Sequence, residues 1–311
     1  MSSRTIALLP KHTAWYGWAM AFSTTLFFSI GPVAAKFVVI EGVDPPTLIA
    51  LRYVTSTLLL VSTIGLIAPG RLRIDRKGLL ICITAGLIFG GAFFLFVSSL
   101  TRINASIASM IVAIYPLIVL TILALRGEKF TYRNIIRLIL GLSGIYFLIG
   151  LGGQVDLIGV LMALGTSIAF AIYLVIIQTL KDYDGQTVML YVFTTIALFA
   201  TTLWLAQGDA GRQWPTMRAW LGIGVLVIFT TYLAQQSLFA AIRHIGSGQM
   251  ALLSPLEVLL TVTWSILILQ EHLAPLQWIG GALILSSMLL AMKRLRRAHK
   301  ISWRSRLRLR L

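Results

Sequence analysis

Gly17-Trp18-Ala19-Met20-Ala21-Phe22-Ser23-Thr24 and Gly159-Val160-Leu161-Met162-Ala163-Leu164-Gly165-Thr166 are the stretches on which the fold of this chain turns. Each opens a long apolar run, and they stand 142 positions apart. The similarity continues through Phe28 and Phe170, Ile30 and Ile172, and Val33 and Val175, as far as Lys36 and Gln178. Farther along, Arg102 and Ser106 pair with Arg243 and Ser247 at a spacing of 141, and Glu128 pairs with Glu271 at 143. A nearly constant spacing at three separate places identifies an internal duplication, since shared hydrophobicity alone does not keep register.

The runs around these stretches set the solvent. Of 311 residues, 58% are hydrophobic and 12% charged, with a mean hydropathy of +0.90. A soluble domain carries about twice that charge, and a chain of this length cannot hide so much apolar surface from water. The composition excludes disorder and collagen, and the single cysteine, Cys82, excludes a disulfide-stapled fold. A bilayer core about 30 Å thick takes roughly 20 apolar residues per helix. On that measure the sequence predicts ten spans, near 15–38, 47–68, 78–99, 105–125, 133–150, 157–179, 187–206, 219–239, 249–269 and 276–292. The first is too long for a signal peptide and lacks a small-x-small cleavage site, so it is expected to remain as a helix.

Five spans per copy is an odd number, so the second copy enters the membrane in the opposite sense. The expected fold is an all-α integral membrane protein of ten transmembrane helices, arranged as two inverted five-helix repeats. Residues 1–150 form the first repeat, 151–292 the second, and 293–311 a basic cytoplasmic tail. Inverted halves are typical of secondary transporters, with a substrate site between them near mid-membrane. A duplication that only enlarges a bundle is the other reading.

Charge sets the orientation. The net charge is +16, from 26 Lys and Arg against 10 Asp and Glu, and nine of the cations fall in the last 19 residues. With the N-terminus inside, 21 cations lie on the inner side and five on the outer, which assigns both termini to the cytoplasm of a cell (inner) membrane. No aromatic-interleaved basic groove accompanies the charge, so nucleic acid is not an expected partner. The expected partners are a small-molecule substrate and the lipid bilayer, with anionic lipids at the basic tail. Monomer and homodimer both fit.

The ordered motifs resemble the EamA-type branch of the drug/metabolite transporter superfamily. They are the first-span pattern ending at Lys36, Pro46-Thr47-Leu48-Ile49-Ala50-Leu51-Arg52, Pro116 followed by Gly127-Glu128, and Glu257-Val258 followed by Glu271. Pro275-Leu276-Gln277-Trp278-Ile279-Gly280-Gly281 then opens the last span. The resemblance covers residues 14–292 and implies a ten-helix exporter of amino acids or other small metabolites. Three positions depart from the pattern: Gln270 replaces a Gly, Arg137 replaces a Gly, and Pro255 lies two residues before the usual Pro.

Candidate site residues follow from polar groups at membrane depth. Glu257, about eight residues into the ninth span, is the only carboxylate deep inside a predicted span, and such a group belongs in an interior or aqueous cavity. It either binds an ammonium or a proton, or is a structural carboxylate bonded to backbone freed by Pro255. Pro116 breaks the fourth span's ladder and, with Pro32 and Pro255, is a candidate hinge or kink. Tyr115 offers a ring and a hydroxyl. Tyr232, Gln235 and Gln236 form either a cavity wall or interhelical hydrogen bonds. Trp264 either stacks on cargo or packs toward lipid, and Thr24 and Thr166 are secondary lining. Lys36 and Arg52 are expected to snorkel at outer span ends, and Gly86 with Gly90 to permit close helix packing.

No catalytic motif is present: HExxH, GxSxG and a P-loop are all lacking. The four His residues stand at ends or in loops, so neither a metal site nor a cofactor is expected. The function expected is secondary transport of a small metabolite by alternating access, outward, with aromatic or hydrophobic amino acids as the first cargo class. A non-transporting scaffold and a membrane-embedded lipid-modifying enzyme are the alternatives.

Overall fold

A computed structural model of the chain describes residues 11–67, 74–125, 132–149, 155–180, 183–207, 214–245, 250 and 253–290. Among them every regular element is helical. In order they are α1 (Lys11–Ile40), α2 (Pro45–Ile67), α3 (Arg76–Leu100), α4 (Ala105–Val112), α5 (Tyr115–Leu125), α6 (Tyr132–Ile149) and α7 (Leu157–Ile177). Then come α8 (Gly185–Ala206), α9 (Met217–Val225), a π-helical segment (Leu226–Leu233), α10 (Ala234–Ile245) and α11 (Ser254–Leu269), with α12 (Pro275–Leu290) last. The basic tail from Lys293 onward, and Glu128 and Ser247 of the repeat pairing, lie outside the described residues.

The scarce acids stand largely at helix starts. Asp75, Asp156 and Asp184 accept from the backbone amides of Gly78, Ile158 and Thr187 at the heads of α3, α7 and α8, and Asp44 does so for Thr47 near the head of α2. Each satisfies an orphan amide and places negative charge at the positive end of a helix dipole. The Asp44–Thr47 and Asp184–Thr187 caps are the same motif, side-chain hydroxyl included, so the second helix of each half begins alike. Between the caps, apolar side chains face outward as well as in: Leu161 is 57% exposed and Leu221 64%. That outward face suits lipid and not water.

Among the described residues, six helices are long and apolar enough to cross a membrane. Four apolar helices are shorter: Ala105–Val119, Ile139–Ile149, Ser254–Leu269 and Pro275–Leu290. These fall where the fourth, fifth, ninth and tenth spans were expected, so full-length crossing is described for six of the ten expected spans. The fourth span is divided by a turn at Ala113 and Ile114 before Tyr115-Pro116 opens α5. The ninth is described as a helix only from Ser254, with Pro255 in its first two positions. Pro255 thus sits where its missing amide leaves no intrahelical bond of the described helix unmade, and residues 251–252 before it lie outside the described residues. Pro32 lies inside α1, which continues past it.

Packing runs mainly between the halves. α3 lies along α7 and α8, α1 along α10 and α11, and α2 against α8. Exchanging each helix for its counterpart in the other half turns the α3–α7 contact into α10–α1, and the α5–α7 contact into α11–α1. The α2–α8 contact maps onto itself. There Tyr53 and Phe193, nine residues after Asp44 and Asp184, touch edge to face at 5.2 Å between centroids. Counterparts that touch one another mark where the two halves interchange.

Helix direction follows from the close approaches. Gly17, Gly31 and Gly222 bring α1 against α10, the π segment and α9 antiparallel, at Ile245, Thr230 and Val38 respectively. Lys36 Nζ, near the end of α1, donates to the carbonyl oxygens of Leu100 and Ile103, and Gly159 at the start of α7 abuts the same Ile103. The end of α1 and the start of α7 thus share one end of the bundle. Twenty-one residues of α7 rise about 31 Å, so Gln178 lies at the other end. Gly86 and Gly90 face Thr195 and Phe199 of α8, where they serve packing.

Candidate functional site

The fourth and ninth spans were expected at corresponding places in the two halves; the fourth is divided just before Tyr115-Pro116, and the ninth is described as a helix from Ser254 with Pro255 in its first two positions. Matched interrupted helices are the best structural pointer to a transporter's binding site, because helix ends and freed carbonyls then face the interior. The Ile111 carbonyl beside the first interruption accepts from Ser167 Oγ of α7 at 3.1 Å. Tyr115 stands at that interruption and Glu257 in the first turn of α11.

Glu257 stands one turn from the start of α11 as described. At 1.5 Å per residue it remains about 18 Å from the Leu269 end. It lies within electrostatic reach of Tyr115. Its carboxylate has no hydrogen bond to the protein among the described residues, and it keeps part of its surface accessible. The first turn suits it, since the N-terminal end of a helix favours negative charge.

From Tyr115 a band of rings crosses the interface. Tyr115 meets Phe170 edge-on at 4.9 Å; Phe170 and Phe89 lie 5.7 Å apart; Tyr173 stacks on Phe89 at 4.5 Å. Phe89 leads to Phe93 and Phe93 to Tyr53. At the far end the Arg52 guanidinium sits 4.6 Å from the Phe93 centroid. Its Nε donates to Thr231 Oγ1 at 2.9 Å and Nη2 to Thr230 Oγ1 at 3.2 Å. Arg52 is 8% exposed. The expectation that it snorkels is overturned: its side chain points into the bundle, where an Arg at mid-helix costs about 2.5–3.5 kcal/mol on insertion scales.

Lys36 does not snorkel either. Its ammonium closes on two backbone carbonyls at the α3–α4 junction. At the same end Glu271 accepts from the amides of Ala105 and Ser106 at 2.6 and 3.1 Å and from Ser106 Oγ at 2.6 Å. A carboxylate from the second half thereby caps α4 of the first. Arg102 and Asp156 pair across the halves at 2.8 Å, and the hydrogen bond from Arg102 holds the Asp156 carboxyl below the usual range. A cavity of about 380 Å³ opens here, lined by Arg102, Asn104, His272 and Gln277 among others. At the opposite end, a hydrogen bond from Tyr183 holds Asp75 below the usual carboxylate range.

The other expected lining residues divide. Tyr232 and Thr63 share a hydroxyl–hydroxyl bond of 3.0 Å that ties the π segment to α2. Gln236 accepts from Gln186 of α8 at 3.2 Å, and Gln235 is partly accessible. Trp264 donates to Ser29 Oγ of α1 at 3.2 Å, joining two helices. Thr24 donates to the Met20 carbonyl, and Thr166 to those of Met162 and of Ala92 on α3. The geometry thus joins Tyr115 to Glu257 and places Tyr232 and Gln236 in a separate contact among α2, α8 and α10.

In the sequence Arg52 and Lys36 were read as snorkelling and Glu271 only as a motif residue, and the band from Phe89 to Phe170 was not read at all. One signal pointed to Arg52: no Asp or Glu occurs in α2 or in the helices beside it to neutralise it.

Residues 15–150 and 157–293 each match the EamA-like transporter family. Among curated proteins, the chain is 27% identical over 251 residues to the threonine/homoserine exporter RhtA of Escherichia coli (strain K12), covering 79% of this chain and 81% of that protein. The same figures hold for RhtA of Salmonella typhimurium (strain LT2). A protein of known crystal structure shares the fold at 20% identity and a TM-score of 0.65, over 91% of this chain and 98% of the other.

Proposed function

The chain belongs to the EamA-like transporter family, and from that premise we propose that it exports a small amino acid or close analogue by alternating access between two inverted five-helix repeats. The repeats are residues 1–150 and 151–292, ten spans in all, with both termini and the basic tail on the cytoplasmic side of the inner membrane. The observation that carries the reading is the exchanged packing: helices of one half bear mainly on helices of the other, with counterparts meeting at Tyr53 and Phe193. An interface of that kind can rock between two nearly mirror-image states, and one site between the halves then serves both faces.

Cargo binds between the interrupted spans. Tyr115 and the neighbouring rings take its apolar part, and Glu257 carries the proton whose movement drives export. Glu257 suits that role because no cation bonds it among the described residues. The names of the RhtA relatives support an amino-acid cargo. Tyr232, Gln235 and Gln236 line the cytoplasmic approach.

The test is counterflow of a panel of labelled amino acids in proteoliposomes, with and without a proton gradient. Saturable, protein-dependent uptake of at least one is expected, and a gradient should accelerate it. Glu257→Gln should keep exchange and lose the acceleration. No saturable uptake of any member contradicts the exporter reading, and unchanged acceleration in Glu257→Gln contradicts the proton role.

A further inference from the structure

Arg52 presents a charge that the duplication does not explain and that no acidic group among the described residues neutralises. Counting from the matched caps, its counterpart in the second half is Val192. A guanidinium has five N–H donors. Two are used, on Thr231 and Thr230, and the other three have no partner among the described residues. The two hydroxyls supply direction but no negative charge. They are held in turn, since both donate to the single carbonyl of Leu226, at 2.8 and 2.9 Å from four and five residues away. Only a widened π turn offers one carbonyl to both, and π turns recur at functional sites. No Asp or Glu occurs in α1, α2, α3, α7, α8, α9, α10 or the π segment.

The place is also right. Arg52 adjoins Tyr53, the residue that meets its own counterpart across the halves, so it lies at the interchange, where both states of a rocking carrier keep a site. Phe93 under the guanidinium and Phe89 beyond it are partly accessible, so the band leads from the cation toward Tyr115. A planar fork held over a ring, with donors to spare, matches a carboxylate in charge and shape.

We propose that Arg52 binds the carboxylate of the transported amino acid, oriented by Thr230 and Thr231, with the cargo side chain along Phe93 and Phe89. The assignment rests on the exporter reading above and names the group of the cargo that is recognised. A carboxylate arriving there neutralises a charge buried in a low-dielectric interior, so the bare amine or amide of the same molecule is rejected.

Calorimetric binding to the purified full-length protein in detergent tests this, with L-threonine, L-phenylalanine and their carboxamides as probes. The acids should bind at least about 30-fold tighter than the amides, as expected when one partner of a buried charge pair is lost. Arg52→Gln should erase that ratio, and Arg52→Lys, which keeps charge but loses the fork, should fall between. The melting temperature of Arg52→Gln should hold or rise without cargo, because an uncompensated charge is removed; a structural role would lower it. An unchanged acid-to-amide ratio in Arg52→Gln, no preference in the wild type, or loss of binding with a matching fall in melting temperature each overturns the assignment. Acid binding without transport in proteoliposomes would count against the exporter reading and leave the Arg52 site standing. Transport of a molecule lacking a carboxylate would do the reverse.

Discussion

Gln270 has φ 54° and ψ 36°, the left-handed conformation that ends α11. A side chain there is strained by about 1–2 kcal/mol against the conformations other residues use, and helices commonly place Gly at this point. The departure from the family's Gly noted in the sequence thus has a physical price at one residue. Gln270→Gly should raise the melting temperature in detergent, with a stabilisation of about 1 kcal/mol, offset in part by losing the bond from Gln270 Nε2 to the Leu267 carbonyl. An unchanged or lower melting temperature would contradict the assignment. Residues differ in how far they can be read ahead of structure. Glu257 stood out in the sequence because a carboxylate is costly in an apolar run. Arg52 and Lys36 did not, because the same position near a span's end serves a side chain that snorkels outward or one that turns inward. The choice is made by neighbours from the other half, Thr230 and Thr231 for Arg52.

At the scale of elements, proline was readable and the π segment was not. Pro116 and Pro255 fall at the divided fourth span and at the start of α11 because a missing amide has the same consequence in any context. Thr230-Thr231-Tyr232 reads as ordinary helix, and faces drawn at 3.6 residues per turn misplace whatever lies on a wider turn. Of the two readings left open for Tyr232 and Gln236, the interhelical one is what the structure describes, with bonds to Thr63 of α2 and Gln186 of α8. Helix contact also turns on small residues whose neighbours the sequence does not name. A Cβ on Gly280 of α12 would stand 2.6 Å from the Gly144 carbonyl oxygen and 2.8 Å from the Leu148 amide nitrogen of α6. Backbone cannot step aside as a flexible side chain does. Gly280→Ala should therefore destabilise the protein by about 1–3 kcal/mol, the usual range for overpacking. Thermal unfolding checks it, and an Ala variant as stable as the parent would show that α6 and α12 are not in such close contact.

For the whole molecule, the all-helical membrane class followed from composition and the duplication from three matched spacings. Which helices touch did not follow, since an apolar run faces lipid and a partner helix with the same residues. The structure adds that α1 and α7, begun by the two matched stretches, run in opposite directions, with the Lys36 end of one beside the Gly159 start of the other. Alternating access depends on that inversion. Single cysteines at Glu41 and Thr179, in the segments that follow these two helices, read it directly in a background with Cys82 replaced. A membrane-impermeant maleimide on intact cells should label Glu41→Cys, and reach Thr179→Cys only after the membrane is opened. Labelling of both from the same side would mean the halves are parallel, and the account of transport would fall with the inversion.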